Sequence, residues 1–242
     1  TNVPHQLEPL LARLDEQRQV QTAQSSAKTR VGVILGGYSS ERHISVESGR
    51  NVFEKLAATQ AYEPIPLFLS LEQGQWAFYR LPMNVLLKDN ADDIRTKLQH
   101  FALTPALRQI QHEARAITEA FSEPDYDFYP RRYTLADLPD LIDFAFLALH
   151  GRPGEDGELP RHLAELNLPY NGSQPEAAEL TIDKKATNTF LQEQGFHVAK
   201  HQLITAPEWA QDPDAVCQQM EAYPGYPVVA KPSDDGCSSA VK

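Results

Sequence analysis

The chain has 242 residues, 41% hydrophobic and 23% charged, with a formal net charge of -11 and a sequence pI near 5.2. An acidic balance of that size excludes a nucleic-acid binder that works by neutralising phosphates, and no apolar run approaches the roughly 18 residues that a membrane-spanning helix needs. Two cysteines, Cys217 and Cys237, have neither metal-site spacing nor the density of a disulfide framework, so they read as free thiols of a cytoplasmic protein.

In chain order, Leu7, Leu10, Leu11 and Leu14 fit one helical face and residues 17–28 are polar, which predicts a short helical extension and then a linker. No signal peptide is visible, and the start at Thr1-Asn2-Val3-Pro4 reads as a missing or processed amino terminus. A βα unit is expected over 30–59, opening on the apolar strand Val31-Gly32-Val33-Ile34-Leu35, with a second strand over 63–69. Residues 70–139 are more than a βαβ connection needs and must carry structure of their own. Glu72-Gln73-Gly74-Gln75 before Trp76-Ala77-Phe78-Tyr79 suggests a hairpin, and Ile94, Leu98, Phe101 and Leu103 suggest a helix. An insertion that packs on the sheet, covers a site or builds a homodimer surface would look alike here. The run from Pro124 to Tyr129 reads as a covered loop, with a partner surface as the alternative.

The nearly continuous apolar run over 141–149 predicts a strand buried on both faces. A helix over 158–166, a short strand at Pro169-Tyr170 and a helix from about Asp183 to Gly195 follow. Gln202-Leu203-Ile204 and Val228-Val229-Ala230 read as the first strands of a further domain, with a helix over 213–223 between them. The expected class is α/β, an open and mostly parallel sheet with helices on both faces.

Two loops carry chemistry. Gly36-Gly37-Tyr38-Ser39-Ser40-Glu41-Arg42 follows the first strand and leads into a helix, where a glycine pair lets the backbone approach a ligand closely. Glu41 and Arg42 side by side suit a substrate bearing both an ammonium and a carboxylate, such as an amino acid; an ordinary βα turn with a solvated ion pair is the bland alternative. It is not a dinucleotide fingerprint, because the third glycine is missing, and no P-loop motif occurs in the chain. The second loop, His150-Gly151-Arg152-Pro153-Gly154-Glu155-Asp156-Gly157, ends the buried strand. Its histidine is either structural or catalytic, and the glycines, acids and arginine around it favour a site. Both loops leave the carboxyl ends of strands, where open α/β sheets bind ligands.

These blocks resemble the D-alanine-D-alanine ligases of the ATP-grasp superfamily. The resemblance is carried by Leu35-Gly36-Gly37 with Ser40-Glu41-Arg42, Ser45 and Ser48 to Val52; by Ala148 to Arg152 with Gly154-Glu155-Asp156-Gly157; by Leu168 to Ser173 leading to Asp183-Lys184; and by Tyr226 to Ser233, from about residue 30 onward. It implies a pre-ATP-grasp domain over 30–180, within which the insertion falls at about 70–139, and the start of an α+β ATP-grasp domain over 181–242, with the helical extension and linker over 1–29 standing apart. Glu41 would hold the ammonium of the first D-alanine in a pocket shared with Gly37 and Ser40, and His150 would lie beside the same substrate. Lys184 and Lys231 would contact ATP phosphates, with Gly236, Cys237 and Ser238 in a loop over them and Ser238 in a catalytic role. Cys237 departs from the family's serine, and Ser239-Ala240 from its usual Val-Gly, which leaves the second substrate open.

The implied reaction is attack of a D-alanine carboxylate on the γ-phosphate of ATP, giving ADP and an acyl phosphate, then displacement of phosphate by a second D-alanine, to make the dipeptide of peptidoglycan. Magnesium, with manganese as the alternative for the second ion, would neutralise the phosphates, its ligands being expected beyond residue 242. The chain is therefore expected to be a fragment, inactive in ligation alone. The alternatives are an ATP-grasp ligase with another second substrate and a non-catalytic amino-acid-binding module.

Overall fold

The computed structural model describes residues 12–13, 28–100, 105–121 and 129–234. The amino-terminal leucine helix apart from residues 12–13, nearly all of the linker, Phe101, Leu103, most of the 124–129 run, Gly236, Cys237 and Ser238 lie outside the described residues.

Strand β1, Thr29–Gly36, is buried at every position from Val31 onward, as an interior strand of a sheet covered on both faces must be. It pairs in parallel with β2, Tyr62–Glu72, from Thr29 opposite Tyr62 to Gly36 opposite Leu69. Gln73 and Gly74, both at positive φ (50° and 79°), then turn the chain into β3, Gln75–Arg80. A two-residue turn with both φ positive matches the twist of an antiparallel pair. The short edge strand β4, Arg131–Tyr133, pairs with β3, and β5, Phe144–Leu147, pairs in parallel with the other side of β1. The spatial order is β4-β3-β2-β1-β5, mostly parallel with β3 reversed.

The helices, in chain order, are α1 Arg42–Ala57, α2 Met83–Lys88, α3 Ala91–His100, α4 Pro105–Phe121, α5 Leu138–Leu141, α6 Glu158–Glu165, α7 Pro175–Ile182, α8 Lys184–Glu193, α9 Ala206–Gln211 and α10 Pro213–Ala222. Alternation along β1 divides the core between the two faces of the sheet. Val33 and Leu35 pack with Phe68, Val46 and Phe53 of α1, Leu86 of α2 and Ile94 of α3. Ile34 packs on the opposite face with Leu67, Leu69, Ile142 and the α6 residues Leu159 and Leu163. Helices thus cover both faces, as the hydrophobic pattern required. Among the described residues, no helix is long and apolar enough to cross a membrane.

Three expectations need correction. The apolar run over 141–149 contributes only a four-residue strand, half-buried at the sheet edge and extended by a single bridge from Ala145 to Tyr170. Leu141 ends α5, and Asp143 is pinned by Arg30, whose backbone N–H and guanidinium both donate to its carboxylate (2.8 and 2.6 Å). An unbroken apolar run reports burial, not ladder pairing. Gln202–Ile204 and Val228–Ala230 form no strand, because a strand needs a neighbour to bond to and among the described residues they have none. Helices α2, α4, α5, α7 and α9 were not anticipated, although Thr205 and Glu208 form a capping box at α9 and Pro175 opens α7 at a favoured position.

Candidate functional site

Because β1 and β5 are parallel neighbours, their carboxyl ends reach the same edge of the sheet, and the two sequence-marked loops leave from there side by side. Gly36 and Gly37 lie at φ 86° and 85°. A side chain at Gly36 would also strike the Phe68 ring, with a Cβ 2.5 Å from it, so both conformation and space demand glycine. The Gly37 N–H bonds the Leu69 carbonyl at 2.9 Å, which carries the loop off β1 over β2.

Serines stitch the loops together. Ser39 Oγ accepts from the Glu41 N–H (3.1 Å) and donates to the His150 carbonyl (2.7 Å). Ser45 Oγ accepts from the His150 N–H at 2.9 Å and donates to the Glu41 carbonyl at 3.3 Å. Ser48 Oγ meets His150 Nε2 at 2.9 Å. Glu41, Ser45 and Ser48 are spaced by four and then three residues, so they share one face of α1 and its N-cap. In the second loop the Gly151 N–H donates to Glu155 (2.8 Å).

Glu41 is the N-cap of α1, yet its side chain does not cap the helix. The residue is 7% exposed, and its Oε2 is buried without a hydrogen-bond partner. That oxygen is 3.5 Å from where a Cβ on Gly151 would stand, so the carboxylate abuts the residue after His150, and a side chain at Gly151 would strike Ser39, whose Cβ lies 2.9 Å away. Leaving a buried carboxylate oxygen unpaired costs on the order of 1–3 kcal/mol or more, and a ligand cation would recover it. The arrangement is a buried anion, a half-buried imidazole held at backbone and ring, and glycine backbone between them.

Of the expected site residues, the structure brings Gly37, Glu41 and His150 together, while Ser40 is exposed on the rim. Arg42 is a correction. Its guanidinium does not join Glu41 but turns outward to Asp92 of α3, with Nε and Nη2 at 2.9 and 3.1 Å from the two carboxylate oxygens, and its Nη1 donates to the Ser39 carbonyl. The pair raises the Arg42 pKa and lowers that of Asp92. Residues one apart in a helix point in different directions, which sequence adjacency does not reveal. Ser39, Ser45 and Ser48 were missed as site residues, although the spacing of Glu41, Ser45 and Ser48 could have signalled a polar stripe.

Lys184 and Lys231 lie on segments that meet through the backbone. The Lys184 N–H donates to the Ser233 carbonyl (2.9 Å), and Ser233 Oγ to Asp183 (3.3 Å). Asp183 caps α8 by accepting from the Lys185 and Ala186 N–H groups, and these bonds, that from Ala186 foremost, hold its carboxyl below the usual range. The first N–H groups of α8 are thereby used internally, so contacts to a phosphate there fall to side chains. Arg152 joins the second loop to this segment through Asp234, at 3.0 Å. Among the described residues, no group of three or more His, Cys, Asp or Glu is placed to hold a metal ion.

The sheet, its two loops and the buried carboxylate between them define an α/β domain with its candidate site at the carboxyl edge of its strands. The chain belongs to the D-alanine-D-alanine ligase family, whose model for the "D-ala D-ala ligase N-terminus" matches residues 30–173. It is 31% identical over 219 residues to D-alanine-D-alanine ligase A of Escherichia coli K12, covering 88% of this chain and 53% of the relative. With the D-alanine-D-alanine ligase of Chlorobium chlorochromatii it shares 28% over 215 residues, covering 89% and 55%. The chain thus spans about half the length of the curated relatives it matches. Among solved structures, the Bacillus anthracis D-alanine-D-alanine ligase aligns at TM-score 0.51 and 26% identity, covering 88% of this chain and 48% of that one. The Coxiella burnetii enzyme shows the same fold at TM-score 0.56 and 24% identity, covering 89% and 54%.

Proposed function

We propose that this chain holds the first D-alanine of an ATP-dependent, ADP-forming ligase that makes D-alanyl-D-alanine for peptidoglycan. The buried, unpartnered Oε2 of Glu41 carries the reading, because an ammonium is the group that would satisfy a carboxylate oxygen left without a partner. His150, held by Ser48 and Ser45, presents a fixed imidazole edge beside the same substrate. Residues 30–180 are proposed as the pre-ATP-grasp domain and residues from 181 as the start of the ATP-grasp domain.

ATP, when bound with magnesium, supplies the phosphoryl group that turns the D-alanine carboxylate into an acyl phosphate. The residues here fit the nucleotide in part: Lys184 and Lys231 come from abutting segments and are flexible point charges suited to phosphate oxygens. The chain's own part in the chemistry is to bind the ammonium at Glu41, orient the carboxylate away from it toward the lysines, and hold the loops closed through Ser39.

Calorimetric titration of the chain with D-alanine tests this, using Glu41→Gln as the comparison. Binding by the parent chain, weakened about tenfold or more in the variant, is expected from the loss of a charge-assisted contact. Equal affinity in both would remove Glu41 from the role of ammonium partner.

A further inference from the structure

We infer that Asp92, in the insertion and fifty positions from the ligand loop, is the positioning residue that keeps Glu41 unpaired and available. The inference deepens the amino-acid reading of the site and rests on it. Asp92 is itself well fixed. Asn90 Oδ1 accepts from the Asp92 and Asp93 N–H groups at 2.9 and 3.0 Å, capping α3, and Ala91 and Ile94 anchor that helix in the core at 1% and 0% exposure. Arg50, two turns further along α1, donates to the carbonyls of Leu86 and Asp89, so the insertion grips α1 at a second place.

From this fixed base Asp92 takes the Arg42 guanidinium in a two-point grip, and Arg42 in turn holds the Ser39 carbonyl at 3.2 Å. Both flanks of Glu41 in the chain are therefore tied, Ser39 to His150 and Arg42 to α3. His43 Nε2 approaches the same carboxylate at 3.2 Å. A two-point contact fixes direction as well as distance. Without it, the guanidinium adjacent to Glu41 loses its outward anchor and becomes a cation able to swing toward the unpaired carboxylate, where the ligand's ammonium belongs. The insertion thus serves the site by holding a competing charge away from it.

The test compares Asp92→Ala, Asp92→Asn and Asp92→Glu with the parent chain in two measurements, D-alanine affinity by calorimetry and backbone hydrogen exchange. In Asp92→Ala, affinity is expected to fall about tenfold, and the Ser45 amide, bonded to the Glu41 carbonyl at 3.0 Å, should exchange faster while the β1 amides are unchanged. Asp92→Glu should restore most of both and Asp92→Asn less. Unchanged affinity, or exchange that rises equally across β1, would overturn the inference, the second by showing general loosening. If the parent chain fails to bind D-alanine, the ligand reading falls, and local exchange at Ser45 still decides whether Asp92 positions the loop.

Discussion

Ser48 Oγ and His150 Nε2 meet at 2.9 Å although they lie 102 positions apart, and this contact ties the imidazole to the helix that Glu41 opens. Replacing Ser48 with alanine removes one hydrogen bond from a half-buried ring, a loss of about 1 kcal/mol, or roughly fivefold in affinity if the ring serves the ligand. Ser48→Ala is accordingly expected to bind D-alanine about fivefold more weakly with little change in unfolding midpoint, and Ser48→Thr to retain affinity. An equal affinity for Ser48→Ala in calorimetry would leave His150 without a role in binding.

Gly49 sits where α1 crosses β1, and a Cβ there would stand 2.6 Å from Leu35 Cβ. Backbone-borne contacts of that kind are relieved only by moving the helix. Gly49→Ala is expected to destabilise the chain by about 1–3 kcal/mol in denaturant unfolding, the overpacking cost exceeding alanine's gain of up to about 1 kcal/mol in helix propensity. Because Glu41, Ser45 and Ser48 ride on the same helix, D-alanine affinity should fall with it. A variant as stable as the parent would show that α1 can shift freely.

Tyr79 donates its hydroxyl to Glu72 at 2.5 Å, and burial first, then that acidic partner, pushes the phenol from 10.0 up to about 12. A raised folded-state value means that the folded protein keeps this proton after the unfolded chain has lost it. The resulting stability is complete below pH 10.0 and is lost as pH rises toward about 12. Between those values the unfolding midpoint is expected to drop more steeply for the parent than for Tyr79→Phe, and phenolate absorbance should show one late-titrating tyrosine that the variant lacks. Parallel slopes would mean that the Tyr79 phenol is neither buried nor paired with Glu72 in solution.

The sheet was legible because its signals are local. The apolar run at Val31–Leu35 and the Gln73-Gly74 turn each depend on a few adjacent residues. Glu41 and His150 were legible for the same reason, each sitting in a glycine-marked loop at a strand end. Arg42 was misread because direction around a helix, and a partner fifty residues away at Asp92, lie outside any local pattern. The serines were hidden by chemistry: a hydroxyl that bridges two backbones has no distinctive neighbourhood in sequence. Gln202–Ile204 and Val228–Ala230 show the converse, β-prone residues that form no strand without a partner.

The parallel pairing of β1 with β5 joins Val31 to Phe144 across the whole insertion, whereas the β2-β3 hairpin closes over two residues. Closing a long loop is slow because its entropy must be surrendered before any contact rewards it. The hairpin can therefore assemble early, while His150 reaches Ser39, Ser45 and Ser48 only when β5 docks. Competence to hold a ligand therefore waits on that docking, and a chain with only its hairpin formed has no assembled site.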